Sequence, residues 1–470
     1  MKNMTLKNIR QVTGGRIVHE GLDDGREITG VVSDSRRVYD GCLFLCIEGE
    51  KVDGHDYAEA AVNAGAYTVI STRVLPGILA PYIIVDSMLD AVQAMAEFYR
   101  KSLEIKVVGV TGSVGKTSTK EFIASVLRIK YKVSMTKGNF NNQWGVPFTI
   151  FDIKDSDNVA VIEMGVSDFG EMEPLSKMAR PDVAVITNIG QSHLEFFRTR
   201  DGILREKAKI CTYMKPEGHV VLNGDDDKLP LLEQIGARPL EGLPNMSGKH
   251  IEYFGFGRQC DVGAERVKED GFNGSEFDIS IRDAGGAMKF RVKLPVPGKH
   301  MILNALAATQ VGLDLGLSPR EIQKALEKVS VIAGRNNFIE TKHFTLIDDC
   351  YNASPTSMAS SIDLLTKARG RKVAILGDML ELGDGSEKLH YKVGLEAGKA
   401  GIDLIVCVGE LSEKMYMGAL MESDLQVEYY KTIEDAISMV PRLLKEKDTI
   451  LLKASNSMHF SRILEMLKNL

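Results

Sequence analysis

Apolar positions along the first 102 residues fall in short runs, ITGVVSDS, GCLFLCI, YTVIST and YIIVD, that read as strands. Between and after them, HDYAEAAVNAGA and SMLDAVQAMAEFYRKSL place apolar residues at helical spacing, so this segment predicts a small α/β module. From Ile105 the texture changes. IKVVGV, NVAVIEMG and PDVAVITNIG are apolar almost throughout, as expected of parallel strands covered on both faces. Residues 230–297 carry shorter alternating runs and predict a strand-rich lobe; HMILNALAATQVGLDLGL then predicts a helix closing the central unit. Beyond Gly334, strands are expected at FTLIDDC, RKVAILGDM, DLIVCVG and TILLKAS, separated by helical stretches, in a Rossmann-like pattern whose ligand edge lies at the strand carboxyl ends. The fold class is therefore α/β in three domains, at 1–102, 103–333 and 334–470, and 470 residues at roughly 150 per domain agree with that count.

Composition narrows the classes of function. Hydrophobic residues make up 44% and charged residues 26%, the balance of a globular chain rather than a filament or a disordered one. With 58 basic and 64 acidic residues the net charge is -6, and no Lys/Arg block resembles a nucleic-acid footprint. Six scattered cysteines lack zinc-ligand spacing and read as reduced thiols. The N-terminus has no signal-peptide core and no stretch approaches a membrane span, so a cytoplasmic protein without membrane insertion is expected.

The sharpest chemical signal is Thr111-Gly112-Ser113-Val114-Gly115-Lys116-Thr117-Ser118, set between a strand and a helix. Such a turn aims backbone N–H groups and a helix N-terminus at phosphate oxygens; Lys116 adds a cation, and the Thr117 hydroxyl can reach Mg²⁺. The strict phosphate-loop pattern is missed at its first glycine, which falls on Val110. Two strand ends add to the signal. Glu163 closes VAVIEMG where an acid could share that metal, and His193 in NIGQSHLE follows another buried strand at the nucleotide edge.

These motifs, with GNFNNQWGVP, REKAKI, PGKHMILNALAA, GRNNF, DDCYNASP and LGDMLELG in that order, resemble the Mur ligases over nearly the whole chain. The marks GNFNN, DDCYNASP and GDMLELG are most similar to the branch joining D-alanyl-D-alanine to UDP-N-acetylmuramoyl tripeptide. The resemblance implies an ATP-dependent, Mg²⁺-requiring amide ligase of peptidoglycan precursor synthesis, working through an acyl phosphate and acting as a monomer. It implies that Lys116 contacts phosphates, that Thr117 and Glu163 hold one Mg²⁺, and that His193 helps hold a second. Asn304, Arg335 and Asp349 would address the nucleotide, and Lys207 would carry a CO₂-derived carbamate acting as an anionic ligand. Asp34, Ser35 and Arg36, with Gly54, His55 and Asp56 nearby, match the uracil-nucleotide region; Asn139, Asn141 and Asn142 face the muramoyl-peptide end.

Two departures from the family pattern stand out: Trp144, where a small or aliphatic residue is usual, and Lys453-Ala454-Ser455-Asn456, where a Lys-Gly-Ser-Arg turn is common. The nearest alternative is the preceding ligase, which adds the third amino acid; its D-N-P-[RA] motif is absent. Folylpolyglutamate synthetase shares the central domain and the acyl-phosphate logic but lacks this N-terminal domain. A non-catalytic ATP-dependent assembly protein would leave the charged loop and Glu163 unused.

Overall fold

A computed structural model describes residues 1–470 except 20–24, 234–242, 258, 284–285, 331–336 and 423–424. The described residues form three sheets. The first orders its strands Arg16–Val18, Tyr82–Ile84, Thr68–Ser71, Leu43–Leu45 and Val31–Val32, with only the first pair antiparallel. The helix Met88–Ser102, capped by the Ser87 hydroxyl accepting from Asp90 N–H, leads from this sheet into the central domain.

The central sheet has nine strands. Seven are parallel in the order Val262–Glu269, His250–Gly255, His219–Asn223, Val183–Ile186, Lys106–Thr111, Val159–Glu163 and Val133–Met135. The unbroken apolar character of the middle strands has the expected cause, because the two-residue strand period sends alternate side chains into separate cores. Val108, Val161, Val185 and Val221 pack under the helices Lys116–Leu127 and Lys299–Asp314. Val107, Ile162, Ile186 and Leu222 join a cluster that continues through Tyr99, Met95 and Val92 to Phe44 and Met4 of the first domain.

The strand-rich lobe expected at 230–297 forms as part of the central domain. Its strands Val262–Glu269, Ser275–Asp283 and Gly286–Leu294 extend the central sheet beyond His250–Gly255. Cross-strand ion pairs, Lys289 to Glu265 and Arg291 to Glu276, serve the exposed side of this extension.

The third sheet runs Asn337–Glu340, Thr345–Asp348, Thr449–Lys453, Lys372–Gly377, Leu404–Val408 and Gln426–Tyr430, again with only the first pair antiparallel. Each of its faces has its own apolar core. The 102/103 boundary falls between the helix Met88–Ser102 and the strand Lys106–Thr111, whereas 333/334 lies outside the described residues.

Candidate active site

The strand Lys106–Thr111 runs into Gly112, whose φ is 148° and where a Cβ would sit 1.9 Å from Thr187 Oγ1. Only glycine fits there. Gly115, at φ 85°, caps the helix that begins at Lys116. The next strand end holds the loop: Asn188 accepts from Val114 N–H through Oδ1 and from Ser113 N–H through its carbonyl, both at 3.0 Å. Val110 lies within the strand opposite Glu163, so the missing first glycine removes nothing from the turn itself. Lys116 Nζ donates to the loop carbonyls of Gly112 at 2.8 Å and Ser113 at 3.3 Å.

Glu163 ends its strand almost completely buried, with Oε1 accepting from Thr117 Oγ1 at 3.1 Å and Asn141 Nδ2 at 2.7 Å. Its other oxygen, Oε2, is buried without a hydrogen-bond partner, and Lys120 Nζ stands 3.9 Å away. A carboxylate and a hydroxyl already in contact, with one carboxylate oxygen accepting no hydrogen bond, fit a hard divalent cation such as Mg²⁺.

Lys207 is fully buried and its Nζ has no hydrogen-bond partner. Burial, reinforced by the nearby positive charge of Lys116, holds this amine well below the ordinary lysine range. Lys209, two residues on, is tied at 2.8 Å to Glu206 Oε2, so the two lysines of REKAKI differ completely in surroundings. His193 adopts a left-handed backbone, φ 57°, and its Nδ1 lies 2.5 Å from Glu381 Oε2 of the third domain. The His193 ring, as a hydrogen-bonding neighbour, holds the Glu381 carboxyl below its usual range.

Asn304 sits under the loop, its Oδ1 accepting from Thr119 Oγ1 at 2.9 Å. From the third domain, Asp349 Oδ2 accepts from Lys453 Nζ at 2.5 Å and from Ser361 Oγ at 2.6 Å. These groups, with His300, line one cavity of about 640 Å³ between the central and third domains. Ser113 through Ser118, Asn141, Asn142, Glu163, His193, Asn304 and Asp349 are on its wall; Thr111 and Lys207, both buried, are not. Arg335 lies outside the described residues. Asp34, Ser35, Arg36 and the exposed Asn139 are not on this wall. Asp34 and Arg36 pair with each other, Arg36 Nε and Nη2 donating at 2.9 and 2.8 Å, in a turn of the first domain. Asn142 Oδ1 accepts from Gly145 N–H at 2.9 Å at the start of the helix Gly145–Phe151, and Trp144 is half-buried beside it.

Sequence reasoning missed Lys120 and the placement of Lys453. Lys120 lies one turn after Lys116 in a helix otherwise buried by apolar and small residues; a lysine on that face was the available signal. The altered Lys453-Ala454-Ser455-Asn456 segment keeps its lysine in the cavity. Its Ser455 Oγ accepts from Leu380 N–H at 2.9 Å, bracing the GDMLELG loop without the missing glycine and arginine.

A phosphate loop with a buried carboxylate against its threonine, faced across one cavity by a Rossmann-like third domain, is the arrangement of an ATP-dependent ligase, and comparison with known proteins agrees. The Mur ligase family catalytic domain matches residues 27–100, the Mur ligase middle domain 110–312, and the Mur ligase glutamate ligase domain 334–456. The chain belongs to the Mur ligase family. It is 35% identical to the UDP-N-acetylmuramoyl-tripeptide–D-alanyl-D-alanine ligase of Bacillus subtilis, over 99% of this chain and 98% of that protein. Its fold superposes on MurF from Acinetobacter baumannii with TM-score 0.87 and 30% identity, covering 99% of both chains. MurF ligase from Thermotoga maritima in complex with ADP gives TM-score 0.80 and 29% identity, covering 94% of this chain and 97% of that one.

Proposed function

We propose that this protein ligates D-alanyl-D-alanine to UDP-N-acetylmuramoyl tripeptide in the cytoplasm, as a monomer, with its work divided among domains 1–102, 103–333 and 334–470. The observation that carries this reading is the single cavity in which Lys116, the Thr117–Glu163 pair and the Asp349–Lys453 pair converge from two domains. Similarity along the full chain to ligases of that name supports the choice of substrates.

The tripeptide's terminal carboxylate oxygen attacks the γ-phosphorus of ATP, the bond to the ADP oxygen breaks, and an acyl phosphate forms. The dipeptide's amine then attacks the carbonyl carbon, phosphate leaves with the bonding pair, and the nitrogen sheds a proton. Neither step needs a covalent enzyme intermediate, so positioning and charge stabilisation dominate. Loop amides and Lys116 cradle the phosphates; Asn304 and Asp349 address the nucleotide; Asn141 and Asn142 face the muramoyl-peptide end. Thr117 and Glu163 would hold one Mg²⁺ and His193 would help hold a second, supplying positive charge against the phosphates. Lys207 serves as a carbamate: its neutral Nζ attacks CO₂, an N–C bond forms, one C=O π bond opens to an oxyanion, and a proton is lost. Asp34, Ser35 and Arg36 bind the uridine nucleotide on the first domain.

Phosphate release across a matrix of UDP-muramoyl peptides and amino-acid or dipeptide co-substrates tests the reading. Turnover should require ATP, Mg²⁺, UDP-muramoyl tripeptide and D-alanyl-D-alanine together. Equal turnover with UDP-muramoyl dipeptide and a free amino acid would move the assignment to the preceding ligase.

A further inference from the structure

The strand His219–Asn223 spans the central sheet from edge to edge. Asn223 lines the nucleotide cavity, and His219 stands at the opposite end, about 13 Å away along the strand. Three elements meet there. His219 Nδ1 lies 3.2 Å from Oε2 of Glu252, on the neighbouring parallel strand, and 3.8 Å from Oδ1 of Asp314, the last residue of the helix Lys299–Asp314. One ligand atom from each residue falls within 4.8 Å of the others.

This grouping carries more negative charge than its surroundings balance. The Asp314 side chain is only 3% exposed, and its Oδ2 is buried without a hydrogen-bond partner. Gln310 Nε2 donates to the other oxygen at 2.8 Å and so fixes the carboxyl plane. Asp314 also sits at the negative end of a sixteen-residue helix, where an anion is unfavourable. Among the described residues no lysine or arginine forms an ion pair with Glu252 or Asp314. Burial, helped by the charge of Asp261 at Glu252 and by that of Glu252 at Asp314, pushes both carboxyls up to about 7. A dication would cancel two carboxylates beside a neutral imidazole. Ligand atoms held about 2.0–2.2 Å from a tetrahedral ion lie roughly 3.2–3.6 Å apart, and His219 Nδ1 stands 3.2 and 3.8 Å from the two carboxylates.

We propose that His219, Glu252 and Asp314 bind a divalent transition-metal ion of the Zn²⁺ class, at a site separate from the ligase centre. One imidazole with two carboxylates is a donor set for borderline cations rather than for Mg²⁺, which favours oxygen and retained water. Gln310 holds one ligand from behind, as outer partners of metal ligands do. A neighbouring cavity of about 510 Å³, lined by His219, Asp314 and Lys215, gives the ion access and room for a water ligand. The bound ion fastens the start of one strand to the end of the helix that carries Asn304 beneath the phosphate loop, so its effect is to stabilise the central domain.

The test uses full-length protein stripped with chelator and titrated, without nucleotide, with Co²⁺ and with Zn²⁺. Wild type should take up about one equivalent, with visible d–d absorption for Co²⁺ and a rise of a few degrees in Tm for Zn²⁺. Thr117→Ala, which damages the Mg²⁺ pair in the ligase centre, should keep both signals. Asp314→Asn should lose them, and Glu252→Gln provides the same reading should Asp314→Asn fold poorly. Unchanged uptake in both cluster variants, or none by wild type, would overturn the proposal. So would a metal-free Tm that rises in Asp314→Asn while wild type binds no ion, since the carboxyls would then merely share a proton.

Discussion

His193 and Glu381 meet across the cleft with 2.5 Å between Nδ1 and Oε2, and the backbone repeats the union, Glu195 N–H donating to Glu381 O at 3.1 Å. Both residues are left-handed, with φ of 57° and 60°, a conformation that costs non-glycine residues of order 1 kcal/mol each. A Cβ on Gly383, itself at φ 64°, would approach Glu195 Cα to 3.1 Å. The closed arrangement of central and third domains is thus held by strained turns that support each other.

Glu381→Ala should loosen that closure by about 0.5–1 kcal/mol, the range of partly exposed polar pairs, and lower kcat/KM roughly twofold to fivefold. ADP affinity should hardly change, because the phosphate loop stays intact. Gly383→Val should be worse, adding both the wrong backbone preference and a clash. Steady-state kinetics beside nucleotide titration separate the effects; unaltered kinetics in both variants would dismiss this contact from closure.

Lys207→Ala should lose activity by orders of magnitude, and a short carboxylate such as formate should restore part of it by occupying the same space. Lys209→Ala should be mild, since it removes only a pair with Glu206 at the helix end. Protein equilibrated with ¹³C-bicarbonate should show a carbamate carbon resonance that Lys207→Ala lacks. A fully active Lys207→Ala, or no such resonance in wild type, contradicts the assignment.

Lys453→Met should strip the buried Asp349 of its cation. Breaking such a pair costs about 3–5 kcal/mol, so urea unfolding of the third domain should shift accordingly. Adding Asp349→Asn should recover much of that stability while leaving turnover low. A double variant no more stable than the single one would show that the pair is not the source of the loss.

How much of this was legible beforehand follows from distance along the chain. The loop from Thr111 to Ser118 declares itself because one strand, one turn and one helix start contain it. Lys453 and Asp349 are 104 residues apart, and only the parallel pairing of Thr345–Asp348 with Thr449–Lys453 brings them together. Nothing local in the Lys453-Ala454-Ser455-Asn456 segment announces its partner. Similarly, alternation in 262–294 shows that strands form but not which sheet they lengthen. Asp34-Ser35-Arg36 is turn-prone by residue type, and a turn is what the side chains build, Asp34 Oδ1 accepting from Arg36 N–H at 3.0 Å.

Acid should weaken the third domain through His390. The ring is fully buried, its Nε2 accepts from Met379 N–H at 2.9 Å, and its Nδ1 lies 2.8 Å from Ser386 O, so the neutral form is the one that fits. Burial lowers its pKa from 6.5. Below about pH 6.5 the unfolded chain takes a proton that the folded one refuses, and stability declines until the folded pKa is reached, by at most about 1.4 kcal/mol per pH unit. Urea midpoints between pH 7 and 5 should show this slope, and His390→Gln should flatten it. An equal slope in the variant would place the sensitivity elsewhere.

The apolar cluster that runs unbroken from Phe44 to Leu222 makes the first two domains one inheritance. Tyr99 donates to Ile153 O at 2.7 Å and Arg100 to Ala179 O at 2.9 Å, so the joint is threaded with polar bonds as well. A chimera that borrowed residues 1–102 from a relative would have to borrow the facing side of the central sheet too. The third domain, by contrast, has cores of its own and meets its neighbour through small contacts such as Phe272 on Phe338 and Lys367 with Glu269. Recombination would find its tolerant seam there, where a few matched side chains suffice to graft one lineage's lid onto another's floor.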